Sequence, residues 1–336
     1  MKKIFLFLFA WLLSGNLFAA CINEIVFFGD SLTDNGNLYH IFKIIPRSPP
    51  YYKGRFSNGP TWAETVGEHY KDKFGIPYTI YAYGGATTLA QIPANQPANQ
   101  LFFTLASEIY QFYANSIFSD KSNKLYVIWI GANDYLMDQV TDVDTLTSHV
   151  VDQISWALTS LIGQGARYFL ILNLPDLGSP PYAENNKMKE RLHILTDMHN
   201  AKLAKTIEGL NNDNPGLKVM SLGANEIFKD LLTHTDKYNQ KYQVNLTVLN
   251  QACWQGGIVL NEASLHPPVA HYVLNSPGLK EAYLVAQMLK DGLDPCNNPE
   301  QYVFWDQLHP TVVVHQILAA ITIENLDEKA RGLFIS

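Results

Sequence analysis

Short apolar runs that alternate with longer amphipathic segments are the feature that most constrains how this chain can fold. Runs with the length and apolar content of buried strands lie at 24–28, 78–83, 125–130, 168–172 and 217–220. Segments with helical spacing lie near 61–74, 101–118, 144–163, 187–211 and 311–326. Strands that alternate with helices form a parallel sheet covered on both faces. We therefore predict an α/β fold, a three-layer α/β/α sandwich around a parallel sheet of about five strands.

Residues 231–304 interrupt this alternation. They contain many Asn and Pro residues, two cysteines and several apolar patches. A chain of 336 residues is long enough for one large α/β domain or two small ones. Because this segment shows no alternation of its own, we interpret it as an insertion within a single domain that covers residues 21–336.

The first 20 residues have the pattern of a signal peptide. Lys2 and Lys3 form a positively charged start, residues 4–13 are apolar, and small residues follow at Ala19 and Ala20. The apolar stretch is too short to span a bilayer, and no later segment reaches 18 consecutive apolar residues. We therefore expect a secreted, soluble mature protein. With a formal net charge of −7, nucleic acid is not an expected partner, because an acidic surface repels phosphate.

The chain has three cysteines, Cys21, Cys253 and Cys296. In an oxidising compartment, Cys253 and Cys296 are the natural pair for a disulfide. Cys21 lies at the predicted cleavage site. The preceding Phe18-Ala19-Ala20 weakly resembles a lipobox, so lipoprotein anchoring at Cys21 is a minor alternative to a processing-site residue without a role.

Ser31 follows the first predicted strand in the sequence Gly29-Asp30-Ser31-Leu32. Ligands of parallel sheets bind beyond the carboxyl ends of the strands, where a serine hydroxyl can meet a substrate. Taken alone, the tripeptide is as typical of a turn in which serine caps a helix.

Near the other end of the chain, Asp306 precedes His309 by three residues. In a turn, this spacing can bring the carboxylate onto one imidazole nitrogen and leave the other free to face a serine. Taken alone, an aspartate and a histidine at this spacing are more often two neighbouring surface residues.

Acyl transfer also requires donors for the developing oxyanion. Gly84 and Gly85 follow the second strand, and Asn133 follows the third. Glycine permits close approach of a backbone N–H, and asparagine supplies a side-chain amide. A glycine turn and a helix cap explain the same residues without chemistry.

Together, the four motifs resemble those of the GDSL, or SGNH, hydrolases, in order and in spacing. The motifs are Gly29-Asp30-Ser31-Leu32, Gly84-Gly85, Gly131-Ala132-Asn133-Asp134 and Asp306-x-x-His309. The resemblance covers nearly the whole mature chain and implies a flavodoxin-like sheet. It implies Ser31 as nucleophile, His309 as base and Asp306 as its orienting partner. It also implies an oxyanion hole formed by Ser31 N–H, Gly85 N–H and the Asn133 amide, with Gly84 as the neighbouring alternative, and no metal or organic cofactor.

Residues 48–60 read SPPYYKGRFSNGP and resemble the branch of this family that contains bacterial secreted phospholipases and lysophospholipases. That branch also includes glycerophospholipid:cholesterol acyltransferases. The resemblance implies hydrolysis of fatty-acyl esters of lysophospholipids or phospholipids, with acyl transfer as a further activity and transient contact with a membrane surface. The aromatic residues suit contact with an acyl chain, and a packed loop explains them as well.

Two other functions stay open on the sequence. A carbohydrate or small-ester deacetylase uses the same catalytic set. A non-catalytic binding module on this fold would lack a member of the triad, and none is missing. The sequence contains no G-x-S-x-G elbow, H-E-x-x-H or P-loop. We interpret His193 and His199 as surface residues, and His266 and His271 as residues of the insertion without a metal.

The segment between Cys253 and Cys296 has more apolar residues than a solvated loop requires. We expect either that it packs on the body of the domain or that it lies at the mouth of the active site and shapes an acyl-chain channel. A processing protease that cuts this loop is an expected partner. Cutting the loop should then change activity on long-chain lipids more than on short esters.

Overall fold

A computed structural model describes residues 22–43, 45–89, 103–138, 141–256 and 294–334. Its strands are β1 (Glu24–Gly29), β2 (Tyr78–Ile80), β3 (Lys124–Trp129), β4 (Tyr168–Leu172), β5 (Lys218–Leu222), β6 (Val248–Ala252) and β7 (Tyr302–Phe304). Its first helices are α1 (Asn37–Phe42), α2 (Trp62–Phe74), α3 (Leu105–Asn115), α4 (Ala132–Met137), α5 (Val143–Gly163) and α6 (Pro181–Asn185). The later helices are α7 (Lys189–Asp213), α8 (Ala224–Thr233), α9 (Thr235–Tyr242), α10 (Val312–Lys329) and α11 (Arg331–Phe334).

Strands β1 to β5 form one parallel sheet in the order β2-β1-β3-β4-β5. All six residues of the central strand β3 are buried, as expected for a strand covered on both faces. The predicted fold class is therefore confirmed. Strand β2 is shorter than the predicted run at 78–83, although the N–H groups of Tyr81 and Tyr83 still donate to carbonyls of β1.

Consecutive residues of β1 show that helices cover both faces of the sheet. Successive side chains of a strand point to opposite faces. The Phe27 ring packs edge-on against Trp62 of α2, with centroids 5.8 Å apart. The Phe28 ring packs edge-on against Phe112 of α3 at 5.9 Å. Helices α2 and α3 therefore lie on opposite sides of β1, which gives the three layers. On one side α2 contacts α10, and on the other α3 and α7 both contact α5.

Local signals explain where helix α2 begins. The Thr61 side chain accepts from the Glu64 N–H, and the Glu64 carboxylate accepts from the Thr61 N–H, so the two residues form a capping box. Glu64 also forms an ion pair with Arg55 at 2.5 Å. The start of α2 is thereby tied to the segment 48–60 that precedes it.

The described part of residues 231–304 contains regular structure. Helix α9 is followed by β6, which pairs in parallel with β7. The predicted disulfide is present, with Cα atoms of Cys253 and Cys296 4.9 Å apart. The Cys253 N–H also donates to the Phe304 carbonyl at 3.1 Å. The disulfide therefore anchors the chain beside β7, which leads directly into Asp306 and His309.

Several predictions fall on residues outside the described ranges. They include the signal peptide at 1–20, Cys21, the interior of the disulfide-bracketed loop, and His266 and His271. Within the described ranges, no helix combines the length and apolar character that crossing a bilayer requires. The single-domain assignment with its insertion stays a prediction.

Candidate active site

Ser31, His309 and Asp306 form a continuous hydrogen-bonded chain at the carboxyl edge of the sheet. The Ser31 Oγ lies 2.8 Å from His309 Nε2. The His309 Nδ1 lies 2.8 Å from Asp306 Oδ2 and 2.9 Å from Oδ1. All three residues are buried. Because an ionised carboxylate only accepts hydrogen bonds, His309 donates from Nδ1, and its Nε2 is left to accept the serine proton. This arrangement can remove the proton of a serine hydroxyl.

A tight turn after β7 holds the Asp306 carboxylate beneath the imidazole. Asp306 Oδ1 accepts from the N–H groups of Leu308 at 2.8 Å and His309 at 2.7 Å. The Trp305 N–H donates to the His309 carbonyl at 2.8 Å. A local side-chain turn of this kind is a common role of Asp. The three-residue spacing seen in the sequence is therefore the spacing of the turn that orients His309.

The segment 48–60 packs against this turn and against the residues that follow it. The Tyr51 hydroxyl donates to Asp306 Oδ2 at 2.6 Å, and both groups are buried. The Phe56 ring lies 5.1 Å from the His309 ring. The Ser57 hydroxyl donates to the Pro310 carbonyl at 2.9 Å, and the Val312 N–H donates to Asn58 Oδ1 at 2.8 Å. No residue of this segment lines the cavity beside Ser31, and the contacts of the segment are those of a packed loop. The sequence marked the segment but did not reveal Tyr51 as the partner of Asp306.

The electrostatic surroundings of Asp306 favour its ionised form. Burial alone would raise the pKa of this carboxyl. The charge and hydrogen bonds of His309, together with the Tyr51 hydroxyl, outweigh burial and hold the pKa of Asp306 below its ordinary value. The carboxylate is therefore charged at neutral pH and can stabilise an imidazolium on His309.

The predicted oxyanion donors lie on loops that follow β1, β2 and β3. The Gly84 N–H donates to Asp34 Oδ2 at 2.7 Å and is not free for a substrate. The N–H groups of Ser31 and Gly85 have no hydrogen-bond acceptor among the described residues. Asn133 Nδ2 donates one hydrogen to the Ala86 carbonyl at 2.9 Å, which leaves its second hydrogen. Ser31 and Asn133 line the cavity, whereas Gly85 is half-buried and is not among the lining residues.

Buried carboxyl groups fasten these loops to one another. Asp134 accepts from the Thr88 N–H and hydroxyl and from the Leu89 N–H, at 2.9 to 3.1 Å. Asp34 binds the Gly84 loop in the same way. Burial raises the pKa of each of these two carboxyls to about 6. The loop that carries Gly84 and Gly85 is therefore held by Asp34, which follows β1, and by Asp134, the neighbour of Asn133.

Beneath Ser31, Glu108 is fully buried and accepts from the Gly29 N–H at 2.9 Å. Burial raises its pKa well above the ordinary value. The neighbouring Asp30 has its pKa raised to about 7, chiefly by burial. No feature of the sequence indicated that Glu108 of α3 reaches the strand that carries Ser31.

A cavity of about 460 Å³ opens beside Ser31, Asn133 and His309. Its apolar lining comes from Leu32, Ala132, Leu136, Pro175, Leu177, Pro180, Phe228, Leu232, Phe304, Leu308 and Pro310. Its other lining residues are polar and come mainly from the loop after β4 and from α7 and α8. The volume lies in the range of about 300–1,000 Å³ that is typical of small-molecule sites.

The prediction that His193 and His199 are surface residues is wrong for His199 and incomplete for His193. His199 is fully buried, and its Nδ1 lies 2.7 Å from the Tyr135 hydroxyl. Burial lowers its pKa to about 3. His193 is half-buried in the cavity wall, with Nδ1 2.5 Å from Asp176 Oδ1. The sequence placed both on a helix but did not reveal which face of α7 packs inward. Among the described residues, no cluster of His, Cys, Asp and Glu could hold a metal ion.

The family model of the GDSL-like lipases and acylhydrolases matches residues 25–321, and the chain therefore belongs to this family of ester hydrolases. The chain is 31% identical over 312 residues to the phosphatidylcholine-sterol acyltransferase of Aeromonas hydrophila, with 88% of each chain covered. It is 26% identical over 312 residues to the secreted effector protein SseJ of Salmonella typhimurium. This match covers 90% of this chain and 64% of the relative. The chain thus spans less than two thirds of the length of that second relative.

Among solved structures, one similar chain is a member of the lipolytic protein G-D-S-L family from Veillonella parvula. It is 17% identical, with a TM-score of 0.38, and the match covers 80% of this chain and 99% of the other.

Proposed function

We propose that this protein is a secreted serine ester hydrolase that cleaves fatty-acyl esters of lysophospholipids and phospholipids, and that it can also transfer the acyl group to an alcohol. The observation that carries the proposal is the Ser31–His309–Asp306 chain, with Oγ to Nε2 at 2.8 Å and Nδ1 to Oδ2 at 2.8 Å. Ser31 and His309 of this hydrogen-bonded set line a cavity that also has a large apolar lining.

In the proposed reaction, Ser31 Oγ attacks the ester carbonyl while its proton passes to His309 Nε2. Asp306 stabilises the imidazolium that forms. The N–H groups of Ser31 and Gly85 and the Asn133 amide hold the oxyanion. The ester C–O bond then breaks, and the leaving alcohol takes the proton from His309. Water, or an alcohol acceptor, gives its proton to His309 and attacks the acyl-enzyme. The bond between the acyl carbon and Ser31 Oγ then breaks, and His309 returns the proton to Oγ as the acid or the new ester leaves.

The cavity supports a fatty-acyl substrate over an acetyl substrate. Leu136, Phe228 and Leu232 lie in the same cavity as Ser31, and burying an acyl chain against such residues is favourable by about 0.8 kcal/mol per methylene group. An acetyl group would occupy a small part of about 460 Å³. The similarity to a phosphatidylcholine-sterol acyltransferase also supports a glycerophospholipid donor and an alcohol acceptor.

Secretion is part of the same proposal. The pattern of residues 1–20 supports export. The Cys253–Cys296 disulfide supports an oxidising compartment, because disulfides are rare in reducing ones.

The test is product analysis with purified protein on a panel of substrates. The panel contains lysophosphatidylcholine, phosphatidylcholine with and without cholesterol, and acetylated xylan. We expect fatty acid from both lipids and cholesteryl ester when the sterol is present, with Ser31→Ala as the blank. Release of acetate from the glycan without any fatty acid would contradict the lipid assignment and support a carbohydrate deacetylase.

A further inference from the structure

One wall of the cavity, formed by the loop after β4 and by α7 and α8, carries ionisable side chains that the proposed chemistry does not use. Asp176 and His193 lie on it, as do Asp197 of α7 and Lys229 of α8. His193 and Asp197 are four residues apart on α7 and therefore share one helix face. The proposed reaction at Ser31 uses none of these groups. We therefore expect them to contact the part of the substrate that lies next to the ester.

Two of these four groups are hydrogen-bonded to each other. His193 Nδ1 lies 2.5 Å from Asp176 Oδ1. The Asp176 carboxylate also accepts from the Gly178 N–H and the Ser179 hydroxyl, both at 2.9 Å. A Cβ atom at Gly178 would lie 2.5 Å from the His193 ring, so the absence of a side chain there permits the packing. Asp176 and His193 are thus partnered with each other and are held in place by the loop after β4.

Asp197 and Lys229 have no such partners. Within the described ranges, neither side chain forms an ion pair or a hydrogen bond, although each other charge on this wall does. Both are exposed to solvent at the cavity. One unpaired anion and one unpaired cation therefore lie on the wall of a cavity that also contains Ser31 and His309.

We propose that Asp197 and Lys229 form a head-group subsite for a zwitterionic phospholipid, in which Lys229 binds the phosphate and Asp197 binds the ammonium group. The inference rests on the proposed lipid hydrolysis and specifies its substrate class. A phosphodiester that carries a quaternary or primary ammonium has one charge of each sign, which matches the two unpaired side chains. The apolar lining contacts the acyl chain, and the charged wall contacts the head group.

The experiment compares three octanoyl lipids at concentrations where they stay monomeric. Lysophosphatidylcholine has both charges, lysophosphatidylglycerol has the phosphate alone, and monooctanoylglycerol has neither. The variants are Lys229→Gln and Asp197→Asn. Matched controls are Lys205→Gln and Asp213→Asn, because both residues are exposed on α7 and lie outside the cavity lining. The turnover of p-nitrophenyl butyrate reports on the catalytic residues separately.

We expect Lys229→Gln to raise KM roughly two- to fivefold for both phosphate lipids, the size that solvent-exposed ion pairs support. We expect Asp197→Asn to raise KM to a similar extent for lysophosphatidylcholine alone. Monooctanoylglycerol and p-nitrophenyl butyrate should be unaffected. Both effects should shrink at high salt, because exposed charges are screened.

Equal changes on all three lipids, or changes no larger than those of the controls, would overturn the head-group subsite while the lipid hydrolase proposal stands. A wild-type protein that hydrolyses p-nitrophenyl butyrate but none of the three lipids would instead overturn the proposed function, and the subsite with it.

Discussion

Replacing Asp306 with asparagine tests the predicted catalytic chain at its least exposed link. Asp306 Oδ1 accepts from two backbone N–H groups, so the asparagine oxygen should take this place. Its amide nitrogen then occupies the position of Oδ2, 2.8 Å from His309 Nδ1. An NH₂ group there donates to Nδ1 and favours the tautomer with the imidazole proton on Nε2, in competition with the oxygen at the Oδ1 position 2.9 Å from Nδ1. The Nε2–H then faces Ser31 as a donor and cannot accept the serine proton.

The expected loss follows from this reversed tautomer. The Tyr51 hydroxyl can rotate to accept from the new amide at the 2.6 Å position, so the side chain keeps its hydrogen bonds and the fold survives. The catalytic loss for such a substitution is about ten-thousandfold in kcat, or about 5.5 kcal/mol at 1.36 kcal/mol per tenfold. KM for a short ester should change little, because Asp306 is not part of the cavity lining.

The assay is kcat and KM on p-nitrophenyl butyrate, together with fluorophosphonate labelling and a thermal melt. Asp213→Asn is the matched control, because Asp213 is exposed on α7 and lies outside the cavity lining. Near-full activity of Asp306→Asn, alongside loss of activity in His309→Ala, would refute the reasoning. The histidine would then require another carboxylate, with Asp294 or Asp291 as the next candidates.

The same variant should change how stability depends on pH. The folded-state pKa of Asp306 lies below its ordinary value. A lowered carboxyl pKa contributes stability above the unfolded pKa of about 3.9, and this contribution is lost as the pH falls through the folded value. We therefore expect wild type to exceed Asp306→Asn in unfolding free energy near pH 7, and the difference to shrink below about pH 4. A difference that grows on acidification would contradict the assigned ionised state.

Three further predictions test the surroundings of the site. Ser31→Ala should abolish esterase activity and fluorophosphonate labelling with an unchanged circular dichroism spectrum, and labelling of the folded variant would remove Ser31 as nucleophile. Tyr51→Phe deletes the 2.6 Å hydrogen bond to Asp306 and should lower kcat about tenfold, the low end of the value for a bond to a charged group; an unchanged kcat would make Tyr51 a packing residue. Replacing Cys253 and Cys296 with serine opens a link of sequence separation 43 and should cost about 4 kcal/mol in urea unfolding, whereas an unchanged midpoint would show that the bond contributes no stability.

Much of the site could be predicted because its signals are local in the sequence. The turn that joins Asp306 to His309 spans three residues, and the motif displays it directly. Ser31 and Asn133 each follow a strand at once, so predicting the strands already places them at one edge of the sheet. The sequence could not show which of Gly84 and Gly85 has a free N–H group. The Gly84 N–H donates to the Asp34 carboxylate, which lies 50 residues earlier in the chain.

The sequence by itself determined the fold class, the order of the strands along the chain and the identity of the predicted triad. These depend on periodicity and on short motifs. Only the tertiary structure decided that Tyr51 contacts Asp306 across 255 residues, that Glu108 holds the strand before Ser31, and that His199 is buried. Each of these depends on which face of a helix or loop packs inward. Long-range packing sets that face, and the helical period of a single segment does not reveal it.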